Sequence, residues 1–169
     1  MSMTCPICQH EHNWSMEEAL DRLSKGPAII RQAMAGADAK ELRWPPAPGK
    51  WSVLQVVVHL LDTEMVYGVR IRKILSEDNP PVIAYEQDQW AAACTEGRDL
   101  ERVMQAFELL RADNVGLFRA SLPRLGRTGQ HPNYGALSAG DLIMHLSPHD
   151  EKHAGQIKRV RQAYMDITK

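Results

Sequence analysis

Two histidines near the carboxyl end of the chain have the residue type and spacing of metal ligands. His149 and His153 stand four residues apart in a segment where apolar residues recur every three or four positions, which predicts an amphipathic helix. Residues i and i+4 are neighbours on a helix, so both imidazoles can reach one ion. Because burying a polar ring without a partner costs about 1–3 kcal/mol, the pair predicts either metal ligands or hydrogen-bonded core histidines.

A helix bundle builds metal sites from side chains on facing helices, so a third ligand is expected on another helix. His59 is the candidate, because it interrupts an apolar run over residues 56–61 where an unpartnered imidazole would again be costly. His145, four residues before His149, is a candidate fourth ligand or a hydrogen-bond partner of a ligand. The alternative for His145 is a histidine that packs and bonds to the backbone.

Two acidic residues that follow His59 are candidates for catalysis. Asp62 lies about one helical turn after His59, and Glu64 lies two positions further on. Either carboxylate could orient a ligating imidazole or act as a general base. The alternative for both is an ordinary surface or inter-helix charge.

The amino-terminal segment carries a second set of metal-ligand residue types. Cys5-x-x-Cys8 is half of a zinc knuckle, and His10 or His12 could complete the ligand set. The alternative is a tail with two free thiols. A thioredoxin-like redox role is disfavoured, because no strand is predicted before the motif.

Apolar periodicity and capping residues predict the helices that must position these side chains. The expected helices span about residues 16–34 with a break at Gly26-Pro27, 52–76, 99–122 and 138–167. Ser147-Pro148 predicts either a kink in the last helix or a helix start. Residues 82–94 are predicted to be partly helical and residues 123–135 to be a loop, and both are expected to wall the opening of a site. No segment alternates as a half-buried strand does, so the fold class is all-α, a four-helix bundle with crossover connections.

Length, charge and cysteine count limit the classes of protein to which the chain can belong. The chain has 169 residues, 44% hydrophobic and 24% charged, with a net charge of −1, which predicts a soluble domain without an electrostatic footprint for nucleic acid. The longest apolar run, residues 53–61, is too short to cross a membrane, and no signal peptide is visible. Three cysteines agree with a reducing, cytoplasmic compartment. We expect a tail over residues 1–14 and one bundle domain over residues 15–169.

Three motifs carry a resemblance to a known family. They are P-G-K-W-S-V-L-Q at residues 48–55, H-L-x-D-x-E at residues 59–64, and H-D-E-x-H-A-G-Q-I at residues 149–157. Together they resemble the DinB/YfiT-like family of metalloenzymes, the DinB superfamily, over about residues 27–164. The amino-terminal Cys-containing segment lies outside this resemblance.

The resemblance implies a fold, a ligand set and a range of reactions. It implies a bundle of four main helices, frequent homodimers, and a divalent ion, zinc or nickel, held by His59, His149 and His153 with water in the open positions. Relatives include transferases and isomerases that use low-molecular-weight thiols.

Three neutral ligands leave the ion at its full charge, so a bound water or thiol becomes acidic enough to act as a nucleophile. The expected function is therefore a thiol-dependent transferase or isomerase. The alternatives are a metal-assisted hydrolase and a non-catalytic bundle that binds a partner, which a fourth ligand such as His145 would favour.

Overall fold

The computed structural model describes residues 3–168, and the expected domain limits reach beyond it to Met1, Ser2 and Lys169. Its helices are α1 (Met16–Met34), α2 (Ala39–Arg43), α3 (Val53–Ser76), α4 (Gln87–Ala93), α5 (Leu100–Ala120), α6 (Ala139–Leu146) and α7 (His149–Ile167), with a 3-10 turn at Leu122–Arg124. Its strands are β1 (Met3–Thr4), β2 (Glu11–His12), β3 (Thr128–His131) and β4 (Gly135–Ser138). Helices α1, α3, α5 and α7 form a four-helix bundle, which confirms the predicted fold class.

The helix limits follow from local chemistry that the sequence displays. The side chain of Ser52 accepts a hydrogen bond from the backbone N–H of Gln55, and the side-chain oxygen of Gln55 accepts one from the backbone N–H of Ser52. Ser138 and Asp141 form the same reciprocal pair at the start of α6, and Asp99 caps α5. These three predicted helix starts are confirmed.

A buried polar layer divides the bundle interior into two apolar clusters. Its centre is Arg111 on α5, which donates to Glu64 on α3 at 2.7 Å and to Asp150 on α7 at 2.5 Å. Asn114, one turn further along α5, donates to the second oxygen of Glu64 at 2.7 Å. Every one of these side chains is at most 3% exposed. These buried charges are therefore stabilised by one another rather than by hydration.

The predicted helix break at Gly26-Pro27 is wrong, because α1 runs through both residues. Pro27 has no N–H to donate to the Leu23 carbonyl, which normally leaves a buried acceptor unpaired. Arg111 supplies the missing donor, since its Nη1 donates to the Leu23 oxygen at 2.8 Å. Gly26 leaves room for the same group: a Cβ there would overlap the Asp150 carboxylate. Gly26 therefore provides the space, and Pro27 frees the Leu23 carbonyl, for the Arg111–Asp150 ion pair.

The prediction that the chain has no strand is also wrong. Strand β1 pairs with β2, and β3 pairs with β4, both antiparallel. The β3–β4 hairpin lies within and just beyond the segment predicted as a loop. Its inward-facing residues, Gly129 and His131, alternate with exposed ones. Neither is apolar, so the alternation leaves no hydrophobic pattern in the sequence.

Pro148 separates two helices. Helix α6 ends at Leu146 and α7 begins at His149, so one of the two predicted outcomes, a helix start, is observed. Ser147 does not cap α7; its hydroxyl donates to the Met144 carbonyl and accepts a bond from Trp14. Within residues 3–168, no helix has the length and apolar character needed to cross a bilayer.

We expect Gly26→Ala to destabilise the protein by about 2–4 kcal/mol, because the added methyl group displaces Asp150 from Arg111 and leaves buried charges unpaired. Gly116→Ala is the matched control, since a Cβ at this helical glycine meets no atom within 4 Å. That control should stabilise the protein by up to about 1 kcal/mol. Urea unfolding of both variants measures the difference. Equal stabilities would contradict the claim that Gly26 makes room for the Asp150 carboxylate.

Candidate metal centre

The three histidines predicted as ligands come together at one point of the bundle. His59 lies on α3 and His149 and His153 lie on α7, and one ligand atom from each lies within 4.8 Å of the other two. The ring of His59 is 5.3 Å from that of His149 and 4.9 Å from that of His153, centre to centre. Two facing helices therefore supply the three imidazoles, as the sequence predicts.

The two histidines of α7 have the separation expected for two ligands of one ion. Their Nε2 atoms are 3.2 Å apart. Two nitrogens bound at about 2.0–2.1 Å to a tetrahedral ion stand about 3.3 Å apart. On the far side of its ring, His153 Nδ1 lies 2.8 Å from Gln156 Oε1. A proton on Nδ1 satisfies that amide oxygen and leaves the Nε2 lone pair for the ion, the usual arrangement of a ligating histidine.

His59 has a buried ring nitrogen that no other group of residues 3–168 satisfies. Its Nδ1 has no hydrogen-bond partner among the described residues, although the side chain is only 2% exposed. Its Nε2 lies 3.5 Å from the Thr63 hydroxyl, and the ring packs against Trp51 at 4.8 Å. An orphaned, buried lone pair is costly unless a ligand pairs with it. The residues present therefore fit a bound cation.

Burial keeps these imidazoles in their neutral, metal-binding form. Desolvation lowers the pKa of His59 to about 3, and the charges of His153 and Lys152 act in the same direction. Desolvation also lowers the pKa of His149 and of His153, the latter against the opposing bond to Gln156. Neutral imidazoles are available as ligands at neutral pH.

A cavity of about 830 Å³ opens onto the histidines of α7. Its wall includes Gln87 and Asp88, so the prediction that the segment over residues 82–94 borders the site is confirmed. A smaller cavity of about 340 Å³ is lined by His59 and His149, and also by His131 and Tyr134 of the predicted 123–135 segment, among other residues. Sequence analysis did not predict that the amino-terminal hairpin would form another wall of the larger cavity.

The two carboxylates proposed for catalysis lie away from the cavity walls. Both carboxylate oxygens of Glu64 accept hydrogen bonds, one from Arg111 and one from Asn114, so this residue has a structural role. Asp62 is 3% exposed, and burial raises its pKa against the opposing charge of Arg98. Neither residue is among the described residues that line the two cavities.

His145 joins a second group of ligand atoms rather than the three histidines. Its Nδ1 is 3.4 Å from Cys5 Sγ, and Cys5, Cys8 and His145 form the other set within 4.8 Å among the described residues. His12 lies beside this group, with its Nε2 3.9 Å from Cys8 Sγ, and the exposed His10 also reaches Cys8. Cys5 and His145 are 140 positions apart, so sequence spacing could not show that they lie together.

Comparison with known proteins agrees with this geometry. A model of the DinB superfamily matches residues 12–157. A protein of Oceanobacillus iheyensis named "Putative metal-dependent hydrolase" is 25% identical over 146 residues, covering 86% of this chain and 85% of its own. A protein of Bacillus cereus with the same descriptive name is 28% identical over 137 residues, covering 80% and 79%.

Two solved structures share the fold. YfiT from Bacillus subtilis, described as a probable metal-dependent hydrolase with an unusual four-helix bundle topology, superposes with a TM-score of 0.82 at 22% identity. That alignment covers 94% of this chain and 95% of YfiT. The four-helix bundle protein TT2238 superposes with a TM-score of 0.59 at 19% identity, covering 86% and 99%.

The lowered pKa of His59 predicts how acid affects the metal-free protein. The unfolded chain takes up a proton on this residue below pH 6.5, whereas the folded protein does so only near pH 3, so stability falls as the pH drops through that window. In chelator-treated protein, His59→Gln should reduce the slope of unfolding free energy against pH by up to about 1.4 kcal/mol per pH unit. Urea titrations from pH 7.5 to 5.5 measure it, with exposed His10→Gln as control. A slope unchanged by His59→Gln would contradict the prediction.

Proposed function

The chain belongs to the DinB superfamily, and on that premise we propose that it is a metal-dependent enzyme. His59, His149 and His153 hold one divalent ion, zinc or nickel, beside the cavity that receives a small-molecule substrate. The observation that supports this most directly is the unpartnered, buried Nδ1 of His59 beside two imidazoles already spaced as ligands. A site of this kind needs an ion to satisfy it.

A divalent ion with three neutral ligands and an open position lowers the pKa of a bound water or thiol toward neutrality. The surrounding residues prepare the site for that chemistry. Gln156 fixes the ring of His153, and the side chains of His59 and His153 are only 2% and 7% exposed. Lys50 and Lys152 line the same cavity, so their positive charge favours anionic ligands and substrates.

Hydrolysis is the reaction we place first. The relatives from Oceanobacillus iheyensis and Bacillus cereus carry the name of metal-dependent hydrolases, and their similarity extends over four fifths of this chain or more. A cavity of about 830 Å³ has room for water and a small organic substrate together.

Thiol transfer is the second candidate. The two lysines beside the imidazoles support it, because a thiolate entering the cavity carries a negative charge that they would stabilise. A low-molecular-weight thiol would then be a cosubstrate.

A non-catalytic metal-stabilised bundle has less support. It would gain support from a fourth protein ligand that closed the ion's coordination sphere. The candidate for that position, His145, is paired with Cys5 instead. Assembly as a homodimer and a cytoplasmic location remain our expectations, and sedimentation analysis would test the first.

We expect His149→Ala to remove about one divalent ion per chain from the purified protein, because loss of one of three ligands abolishes tight binding. Metal analysis by mass spectrometry, compared with the wild type, measures the difference. His10→Ala, an exposed histidine on the cavity rim, is the control and should retain that ion. Full metal content in His149→Ala would refute the ligand assignment.

A cobalt experiment separates thiol transfer from hydrolysis. In cobalt-loaded Cys5→Ser/Cys8→Ser protein, which lacks the cysteines near the cavity, a small thiol should produce a sulfur-to-metal charge-transfer band, since thiolates are good ligands for such ions. His149→Ala in the same background should show none. An unchanged spectrum at saturating thiol would exclude the transferase and leave hydrolysis.

A further inference from the structure

The amino-terminal hairpin places two cysteine sulfurs beside a histidine of the bundle. Cys5 Sγ is 3.4 Å from His145 Nδ1, and one ligand atom from each of Cys5, Cys8 and His145 lies within 4.8 Å of the others. In a tetrahedral zinc site, a sulfur and a nitrogen ligand stand about 3.5 Å apart and two sulfurs about 3.8 Å apart. Cys5 and His145 therefore already have the separation of zinc ligands, and Cys8 lies within 4.8 Å of both.

A fourth donor is next to this group. His12 is 3% exposed, and its Nε2 lies 3.9 Å from Cys8 Sγ. Two cysteines and two histidines are a common ligand set of structural zinc. The sulfur ligands also favour zinc over magnesium or calcium, which prefer oxygen.

Backbone N–H groups of the hairpin turn are directed at both cysteine sulfurs, where they oppose the effect of burial, which raises the pKa of the Cys5 thiol. The N–H groups of Ile7 and Cys8 are directed at Cys5 Sγ, and the N–H of His10 is directed at Cys8 Sγ. The turn is closed by bonds between Cys5 and both Gln9 and His10, and Gln9 adopts the left-handed conformation with φ of 59°. Hydrogen bonds to sulfur stabilise its anionic, metal-binding form.

The hairpin itself is too small to hold its place without a further link. Strands β1 and β2 contain two residues each, and a two-stranded hairpin of this kind is marginal in water. Yet Cys5 is 1% exposed and packed on the bundle. Small elements of this kind are usually held by a disulfide or a metal ion.

We propose that Cys5, Cys8 and His145 bind a structural zinc ion, with His12 as the fourth ligand, and that this ion fastens the amino-terminal hairpin to α6. Cys8, His12 and His145 also line the cavity that reaches His149 and His153. The zinc therefore holds one wall of the cavity. It is separate from the proposed catalytic ion, because the two sites share no ligand.

The test uses full-length protein loaded with cobalt without added thiol. Cysteine ligation should give a sulfur-to-cobalt charge-transfer band in the wild type and in His149→Ala, and no band in Cys5→Ser/Cys8→Ser. Cys94→Ser, which removes the exposed third cysteine, is the matched control and should keep the band. No band in the wild type, or a band that survives in Cys5→Ser/Cys8→Ser, would overturn the proposal.

Zinc content gives a second readout that does not depend on spectroscopy. The double serine variant should bind one zinc fewer per chain than the wild type while retaining its helical circular dichroism. His145→Asn should weaken zinc binding at the hairpin about 100-fold or more, measured against a chelator in the His149→Ala background, with His131→Asn as control. Unchanged affinity in His145→Asn would remove α6 from the site and overturn the proposal. Because His149→Ala empties only the other site, failure of this proposal and failure of the proposed enzyme site give different results.

Discussion

The guanidinium of Arg111 is the interaction on which the rest of the bundle depends. It connects all four main helices: its own α5, Glu64 on α3, Asp150 on α7 and the Leu23 carbonyl on α1. Removing one member of such a buried set typically costs about 3–5 kcal/mol, since the remaining charges lose their partners. The same contacts fix the position of the histidines. Asp150 directly follows His149, and Glu64 lies five residues, about 7.5 Å of helix rise, beyond His59. The two ion pairs of Arg111, one with α3 and one with α7, therefore set the helix register that brings the imidazoles of these two helices together.

Burial then determines what the imidazoles can do. A buried ring resists protonation, so His59 and His149 stay neutral where an exposed histidine would begin to charge. Neutral rings with free lone pairs attract a cation, and the lysines in the cavity wall attract the anion that the cation would bind. In the proposed site the two roles are therefore separate: the core supplies the metal ligands and the cavity rim supplies positive charge. Glu64 illustrates the division, because its carboxylate belongs to the Arg111 network and is not free to act as a base.

Sequence analysis predicted the parts of the fold that depend on local chemistry. Capping by Ser52, Asp99 and Ser138 is local, and so is the i, i+4 spacing of His149 and His153, and these predictions agree with the structure. The incorrect predictions concern residues whose hydrogen-bond partners lie far away in the sequence. Pro27 continues a helix because Arg111, far along the chain, takes the carbonyl that Pro27 leaves free. Glu64 looked like a candidate base because its partners on α5 are invisible in the sequence around it. Strand β3 was missed because its buried positions carry glycine and histidine rather than apolar side chains.

The helix break at Pro148 explains how histidines with the same sequence spacing lie in two different groups of donor atoms. His145, His149 and His153 are each four residues apart, and on one unbroken helix they would lie along one face. The chain instead ends α6 at Leu146 and begins α7 at His149, so His145 belongs to a different helix from the other two. His145 stacks on Tyr67 and faces Cys5, whereas His149 and His153 face His59. The hydroxyl of Ser147 at the break accepts a bond from Trp14, which lies two residues beyond the end of the hairpin. A single irregularity in the chain thus separates the two groups of donor atoms and helps to hold the hairpin beside the cavity that both groups border.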